Sequence, residues 1–200
     1  MIVVGGSMKK IDLTDHFKDY TKRFSSLLEQ MDWSSSELLA KELLMCWKSG
    51  RQVFLAGNGG SAGNANHIAN DFLYPISKAF GSGIRMHSLS VNPSVMSCLA
   101  NDNGYDQVYR YQLAVLAQAG DVLVVFSGSG NSPNILNVLN EARERGIKSF
   151  AVLGYDGGQA KDIADVVIHF PINDMQIAED TQTMLFHMIV QWLYSQSSTI

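Results

Sequence analysis

The sequence predicts an α/β fold: a three-layer sandwich in which a parallel sheet of five strands is covered by helices on both faces, preceded by two N-terminal helices. Three observations carry that reading. From Gln52 onward, apolar runs of strand length alternate with stretches of helical periodicity, the rhythm of successive βα units. Runs such as Val122 to Phe126 and Phe150 to Leu153 are apolar without interruption, as strands are when both faces are covered. Two strands also run straight into glycine- and serine-rich turns that open helices, at the strand ends where open α/β sheets hold their ligands.

The elements follow in order. Residues 1–7 are too short and uncharged for a signal peptide and read as a loose start, with Met8 a candidate initiator. Phe17, Tyr20, Phe24, Leu27, Leu28 and Met31 then recur at helical spacing, opened by Asp12 or Thr14 and interrupted by Asp32. Ser34 to Ser36 offer N-caps for a second amphipathic run, Leu38, Leu39, Leu43, Leu44 and Trp47, which stops at Gly50. Such a pair, residues 8–50, is expected to pack on the α/β core or on a partner subunit. Strands are predicted near 52–56, 84–89, 121–126, 148–153 and 165–170. Helices are predicted at 61–74, 93–100, 105–118, 132–145 and 158–163. A closing helix, 175–196, follows an α/β core of 51–174, and the whole chain, 1–200, reads as one domain.

Composition narrows the function classes. With 200 residues, 46% of them hydrophobic, the chain can bury one substantial core. Its net charge of −4 and the absence of any Lys/Arg run argue against a nucleic-acid surface, so a phosphate bound here belongs to a small molecule. No apolar run reaches membrane-spanning length, which argues against a membrane partner. Cys46 and Cys98 lack CxxC spacing and read as buried, reduced thiols of a cytoplasmic protein.

Both glycine turns suit an anion. In Gly57-Asn58-Gly59-Gly60-Ser61 and Ser127-Gly128-Ser129-Gly130-Asn131-Ser132, a strand gives way to a helix whose first N–H groups and dipole point at one spot. Glycine permits close approach, and serine adds hydroxyl donors. Neither turn is a Walker loop, because no Lys follows. The first has only Ala62 in the third glycine position of a dinucleotide fingerprint and no acidic partner about twenty residues on.

His67 and Asp71 are four apart on the helix opened by Ser61 and share a face. Taken alone, the pair fits a surface ion pair or a satisfied histidine as readily as a site. The last helix carries Glu179 and His187, eight apart and about 80° around the axis from each other. His187 lies in the apolar stretch Met184 to Val190, where an unpaired imidazole is costly. Two imidazoles and two carboxylates would suit a divalent transition metal, zinc by default, or proton transfer without metal. His87 and His169 read as core or edge residues, and Met86, Met96, Met184 and Met188 as core packing. Asp156-Gly157-Gly158 reads as a turn, and Arg85, Arg110 and Lys161 as isolated cations of open role.

Several of these motifs in order, Gly57-Asn58-Gly59-Gly60-Ser61, His67 with an acid four residues on, Cys98-Leu99-Ala100-Asn101-Asp102-x-Gly104-Tyr105-Asp106 and Ser127-x-Ser129-Gly130-Asn131-Ser132, resemble a sugar isomerase (SIS) domain with a flavodoxin-like sheet. The nearest resemblance is to the phosphoheptose isomerases, which interconvert sedoheptulose 7-phosphate and glycero-manno-heptose 7-phosphate for bacterial surface polysaccharide such as lipopolysaccharide. It covers nearly the whole chain. It implies a phosphate cradle of Ser127, Gly128, Ser129, Asn131 and Ser132, a sugar-contacting turn of Asn58, Gly59, Gly60 and Ser61, and a hydroxyl-holding pair, Asn101 and Asp102. It further implies one zinc ion per subunit on His67, Asp71, Glu179 and His187, with Asp71 or Glu179 as base and His187 as acid/base partner, the two acids also contacting substrate. The implied assembly is a cytoplasmic homotetramer whose leading and closing helices form a bundle and whose sites lie between subunits.

Three departures stand out. Asp71 replaces a Glu, retracting the carboxylate by about 1.5 Å, where a misplacement of about 1 Å can cost on the order of 100-fold in rate. Glu179 replaces a Gln and adds negative charge, and Gly128 replaces a Thr while keeping its N–H. These changes leave room for another phosphosugar, or for a non-catalytic SIS protein that binds the replication initiator or another protein partner. A pure scaffold has no physical need for His67, His187 and an acid at 71. A phosphosugar-sensing regulator is disfavoured by the first 50 residues, which lack a basic helix-turn-helix.

Overall fold

The computed structural model describes residues 12–196. Residues 1–7 and Met8 lie outside them. The chain divides into two compact units, one ending at Met31 and the other spanning Asp32–Ile200. In the first, α1 (Leu13–Glu29) is capped by Asp12, whose carboxylate accepts from the Thr14 and Asp15 N–H groups, and Asp19 pairs with Arg23 one turn on at 2.8 Å.

The second unit opens with α2 (Ser34–Ser49). The serines do not cap it; Asp32 instead accepts from the Ser34 N–H at 2.9 Å, and Gly50 closes the helix at φ +69°. The sheet then builds from β1 (Gln52–Gly57), β2 (Arg85–Ser88), β3 (Val122–Ser127), β4 (Lys148–Leu153) and β5 (Val166–His169), all parallel in the order β2-β1-β3-β4-β5. Between the strands run α3 (Gly60–Phe80), α4 (Pro93–Asn103), a 3-10 turn at Tyr105–Gln107, α5 (Val108–Leu116), α6 (Pro133–Glu144) and α7 (Ala160–Ile163). The closing helix is α8 (Met175–Ser195), capped by Asp174. These five strands and their helices match the pattern read from the sequence.

Strand alternation sorts the core into two layers. Phe54, Ala56, Leu123, Val125, Ala151 and Leu153 pack with Val108, Tyr109, Leu113, Ile135, Val138 and Leu139 of α5 and α6. On the other face, α2, α3 and α8 cover the sheet, and Phe126 meets Phe186 of α8, which in turn meets Phe72 of α3, both edge-on. α3 and α8 pack side by side in the same direction, since Asn64 bonds to Glu179 O and Gln182 while Phe72 meets Phe186.

Three expectations shift. α3 does not stop at residue 74 but continues through Pro75 to Phe80. Pro75 has no N–H for the Asp71 carbonyl, and the Phe72 carbonyl next to it accepts from the Ile84 N–H at 3.0 Å. Cys46 is buried as expected, but Cys98 is exposed on α4. Met86 is buried, whereas Met188 is exposed on α8. His169 binds the Tyr155 carbonyl at 3.0 Å and His87 stacks on Phe54 at the sheet edge, so both take the structural roles expected of them. No helix of the described residues is long and apolar enough to cross a membrane.

Candidate active site

At the end of β1, Gly57 must be glycine because a Cβ there would sit 2.7 Å from the Ser61 carbonyl, so the first turn of α3 folds tightly over the strand. Gly59 precedes α3 at φ +55°, a conformation that favours glycine, and the helix N-terminus is exposed at Gly59 and Gly60. The Asn58 side chain turns inward. Its Nδ2 donates to Asn134 Oδ1 and its Oδ1 accepts from Asn134 Nδ2, both at 2.8 Å, and Oδ1 also accepts from the Tyr105 hydroxyl at 3.1 Å. Tyr109, its hydroxyl 3.4 Å from Asn58 Oδ1, donates to the Gly57 carbonyl; burial, with Tyr105 alongside, pushes its phenol above the ordinary value and keeps it a donor.

At the end of β3, the serine loop is held by short side chains that accept from backbone N–H groups. Ser127 Oγ is buried and accepts from the Gly130 N–H at 3.0 Å, Ser129 Oγ accepts from Asn131 N–H, and Asn131 Oδ1 accepts from the Gln159 N–H at 3.0 Å. Gly130, at φ +64°, leaves no room for a side chain against the Gly157 carbonyl. Ser132 precedes α6 without using its side chain as a cap, and Pro133 takes the first helical position. The uncapped N-terminus of α6 opens at this turn beside Ser132, the arrangement of an anion cradle.

The third part comes from side chains. His67 and Asp71 on α3 meet His187 on α8: the two Nε2 atoms are 3.0 Å apart, and each is 3.5 Å from Asp71 Oδ2. A hydrogen bond between the rings requires one as donor and the other as acceptor. These three side chains form a group whose ligand atoms all lie within 4.8 Å of one another. All three remain open to solvent, with side-chain exposures of 49% for His67, 22% for Asp71 and 45% for His187.

Comparison with known proteins decides the family. The SIS domain model matches residues 16–154. The phosphoheptose isomerase of Pelobacter propionicus is 33% identical over 178 residues, 89% of this chain and 93% of that protein. That of Geobacter sulfurreducens is 36% identical over 156 residues, covering 78% and 80%. The chain belongs to the phosphoheptose isomerase family of SIS-domain proteins. The solved structure of the Neisseria gonorrhoeae phosphoheptose isomerase superposes with a TM-score of 0.82 at 27% identity, over 92% of this chain and 97% of that one. The α/β architecture read from the sequence is the family's own.

Against the phosphoheptose isomerase pattern, the structure brings together three of the four residues the sequence assigned to a metal. Glu179 stands apart. Eight residues before His187, it lies about 12 Å along the helix axis, and its carboxylate packs on Gly60 at the N-terminus of α3, where the helix dipole favours an anion. Asn101 and Asp102, at the exposed end of α4, pair with each other at 2.8 Å, and Asp102 accepts from Cys98 Sγ. Beside Gly128, the Met175 thioether fills the side where a residue larger than glycine would place its Cβ, 2.9 Å from Sδ. Sequence reading held Tyr105 within a motif but gave it no role, and it missed Asn134, Tyr109 and Met175. Asn134 looks like any polar residue in a helix's first turn, and its partner is 76 residues away.

Proposed function

We propose that the protein is an aldose–ketose isomerase acting on a seven-carbon sugar phosphate, interconverting sedoheptulose 7-phosphate and glycero-manno-heptose 7-phosphate. The observation that carries this reading is the convergence of His67, Asp71 and His187 from two parallel helices. α8 runs from Met175 beside the serine loop, past Glu179 on the turn after β1, to His187 among the acid/base groups. One helix therefore links an anion cradle to a set of proton-transfer groups.

The chemistry needs a proton removed from the carbon beside a carbonyl and returned one carbon away. The serine loop and the N-terminus of α6 bind the phosphate. Asp71 takes the C2 proton of the aldose and delivers it to C1. His187 moves the hydroxyl proton from the C2 oxygen to the C1 oxygen, so the enediolate collapses to the ketose with atoms and charge balanced. Two imidazole nitrogens and a carboxylate oxygen, with ligand atoms this close, fit the donor set of an open zinc site, His67, Asp71 and His187 being the residues that would hold one ion per subunit. When bound, such an ion supplies Lewis-acid polarisation of the carbonyl oxygen. In this placement Glu179 would not reach such an ion; its carboxylate lies against Gly60 at the N-terminus of α3.

A homotetramer in the cytoplasm completes the proposal. A groove of about 980 Å³ beside the edge strand β2 leaves Val91, Tyr111, Val115 and Leu116 exposed, more apolar surface than a monomer needs, and the exposed thiol of Cys98 suits a reducing compartment. The deciding experiment incubates the purified protein with sedoheptulose 7-phosphate, with and without a chelator, and follows formation of the aldose. Chelator-sensitive aldose formation is expected. No aldose under either condition overturns the isomerase reading, and undiminished turnover in chelator removes the zinc but leaves the isomerase.

A further inference from the structure

The amide of Asn58 joins three segments that are far apart in sequence. Its reciprocal pair with Asn134 ties the turn after β1 to the first turn of α6, directly behind the serine loop. Its Oδ1 also accepts from Tyr105, in the 3-10 turn that follows Asn101 and Asp102. Asn134 is 2% exposed, whereas Tyr105 is 55% exposed and gives up little burial to make its bond. One turn further along the same face of α6, Asn137 Nδ2 donates to the Asp106 carbonyl at 2.9 Å, so α6 grips the 3-10 turn directly as well. An amide carries two N–H groups, and the pair with Asn134 uses one of those on Asn58, leaving the other for a ligand.

We propose that Asn134 and Tyr105 are positioning residues, acting through Asn58 to hold the sugar-side turn, the α4 end and the phosphate loop in one register. This rests on the reading of the site as a phosphosugar pocket, but its consequence concerns binding. A change in the turn after β1 is felt as phosphate affinity at the loop after β3. Buried amide pairs with all partners satisfied specify a single arrangement, and losing one donor leaves a desolvated acceptor behind.

The test measures binding of inorganic phosphate by calorimetry to the full chain and to Tyr105→Phe, Asn58→Ala and the double variant, with kcat and KM for the sugar phosphate alongside. Tyr105→Phe deletes one hydroxyl from an exposed ring and is expected to lower the melting temperature by no more than about 4 °C while weakening phosphate binding by up to about five-fold. Asn58→Ala is expected to weaken it more, and the double variant to match Asn58→Ala alone, because Tyr105 acts only through Asn58. Equal losses from Tyr105→Phe in both backgrounds overturn the proposal. So does an Asn58→Ala loss with Tyr105→Phe silent, which makes Asn58 a direct phosphate contact and nothing more. If Asn58→Ala does not fold, Tyr105→Phe decides in a second cycle with Asn134→Ala. Because phosphate binding is the readout, absence of turnover sinks the isomerase reading without touching this one.

Discussion

The serine loop lies beside the first residue of α8 and the histidine–aspartate cluster meets the helix more than three turns further on, and they are built in opposite ways. Short side chains bonded to backbone hold the loop, with Ser127 Oγ on the Gly130 N–H and Asn131 Oδ1 on the Gln159 N–H, and Gly130 lies against the Gly157 carbonyl with no room for a Cβ. Three partly exposed side chains make the cluster, held by contacts to one another across two helices. Contacts tied to backbone cannot be edited without disturbing the fold, while exposed side chains can be changed almost freely. The division suits the two tasks. A phosphate is gripped the same way in every turnover, whereas groups that pass protons must reach toward a moving reaction centre.

The largest effect should therefore come where stability is least involved. Asp71→Asn keeps shape and removes basicity, and His187→Ala removes the imidazole that shares its site. Each should lower kcat by at least about 100-fold, the lower end of what general acid–base groups contribute, with melting temperature unchanged in circular dichroism. Full activity in both variants would break the contrast by showing that the cluster is a surface ion pair. Asp71→Glu sharpens it: if one missing methylene holds the carboxylate back, the longer acid should raise kcat.

Gly130→Ala reverses the pattern. The new Cβ has no space against the Gly157 carbonyl, and φ +64° is strained for any L-residue. A cost of about 2 kcal/mol or more is expected, a fall of about 4–8 °C in melting temperature for a chain of this size, with phosphate affinity lost in proportion. A variant as stable as the parent would show that the Gly157 segment is not what shapes the loop.

The same division explains what was legible in the sequence. Strands such as Val122 to Phe126 were readable because burial on both faces leaves an uninterrupted apolar run, and the two glycine turns because close backbone approach excludes a Cβ. His67 and Asp71 were readable as a pair because helical spacing fixes which residues share a face. Their meeting with His187 was not, since nothing local states that α3 and α8 run in parallel; it rested on the family resemblance. Glu179 was placed with the cluster for the same reason, and the 12 Å of helix between it and His187 carries it elsewhere. The continuation of α3 through Pro75 was hidden because proline's local preference for ending helices is overruled when Phe72 and Ile76 are buried on either side of it. Asn134 was invisible for a simpler reason: a hydrogen bond spanning 76 residues leaves no periodic trace.

The smallest expected effect tests whether the loop's rigidity also depends on charge. Glu141, near the far end of α6 from the serine loop, is buried and accepts from Arg110 of α5 at 2.8 Å and from Arg145. Burial works to raise its pKa, but the hydrogen bonds and charges of the two guanidinium groups outweigh it and hold the carboxyl below its ordinary value of 4.5. A carboxylate with a depressed folded-state pKa adds stability that is fully present above 4.5 and is lost as pH falls through the folded value. Glu141→Gln should therefore lower the melting temperature at pH 7 by no more than about 4 °C, both arginines being nearly half exposed, and the gap from the parent should close as the pH drops below 4.5. Phosphate affinity should stay unchanged, because the contacts that set the loop lie at the other end of the helix. A loss of phosphate binding in this variant would mean that the anchoring of α6 by α5, and not the glycine contacts alone, fixes the cradle.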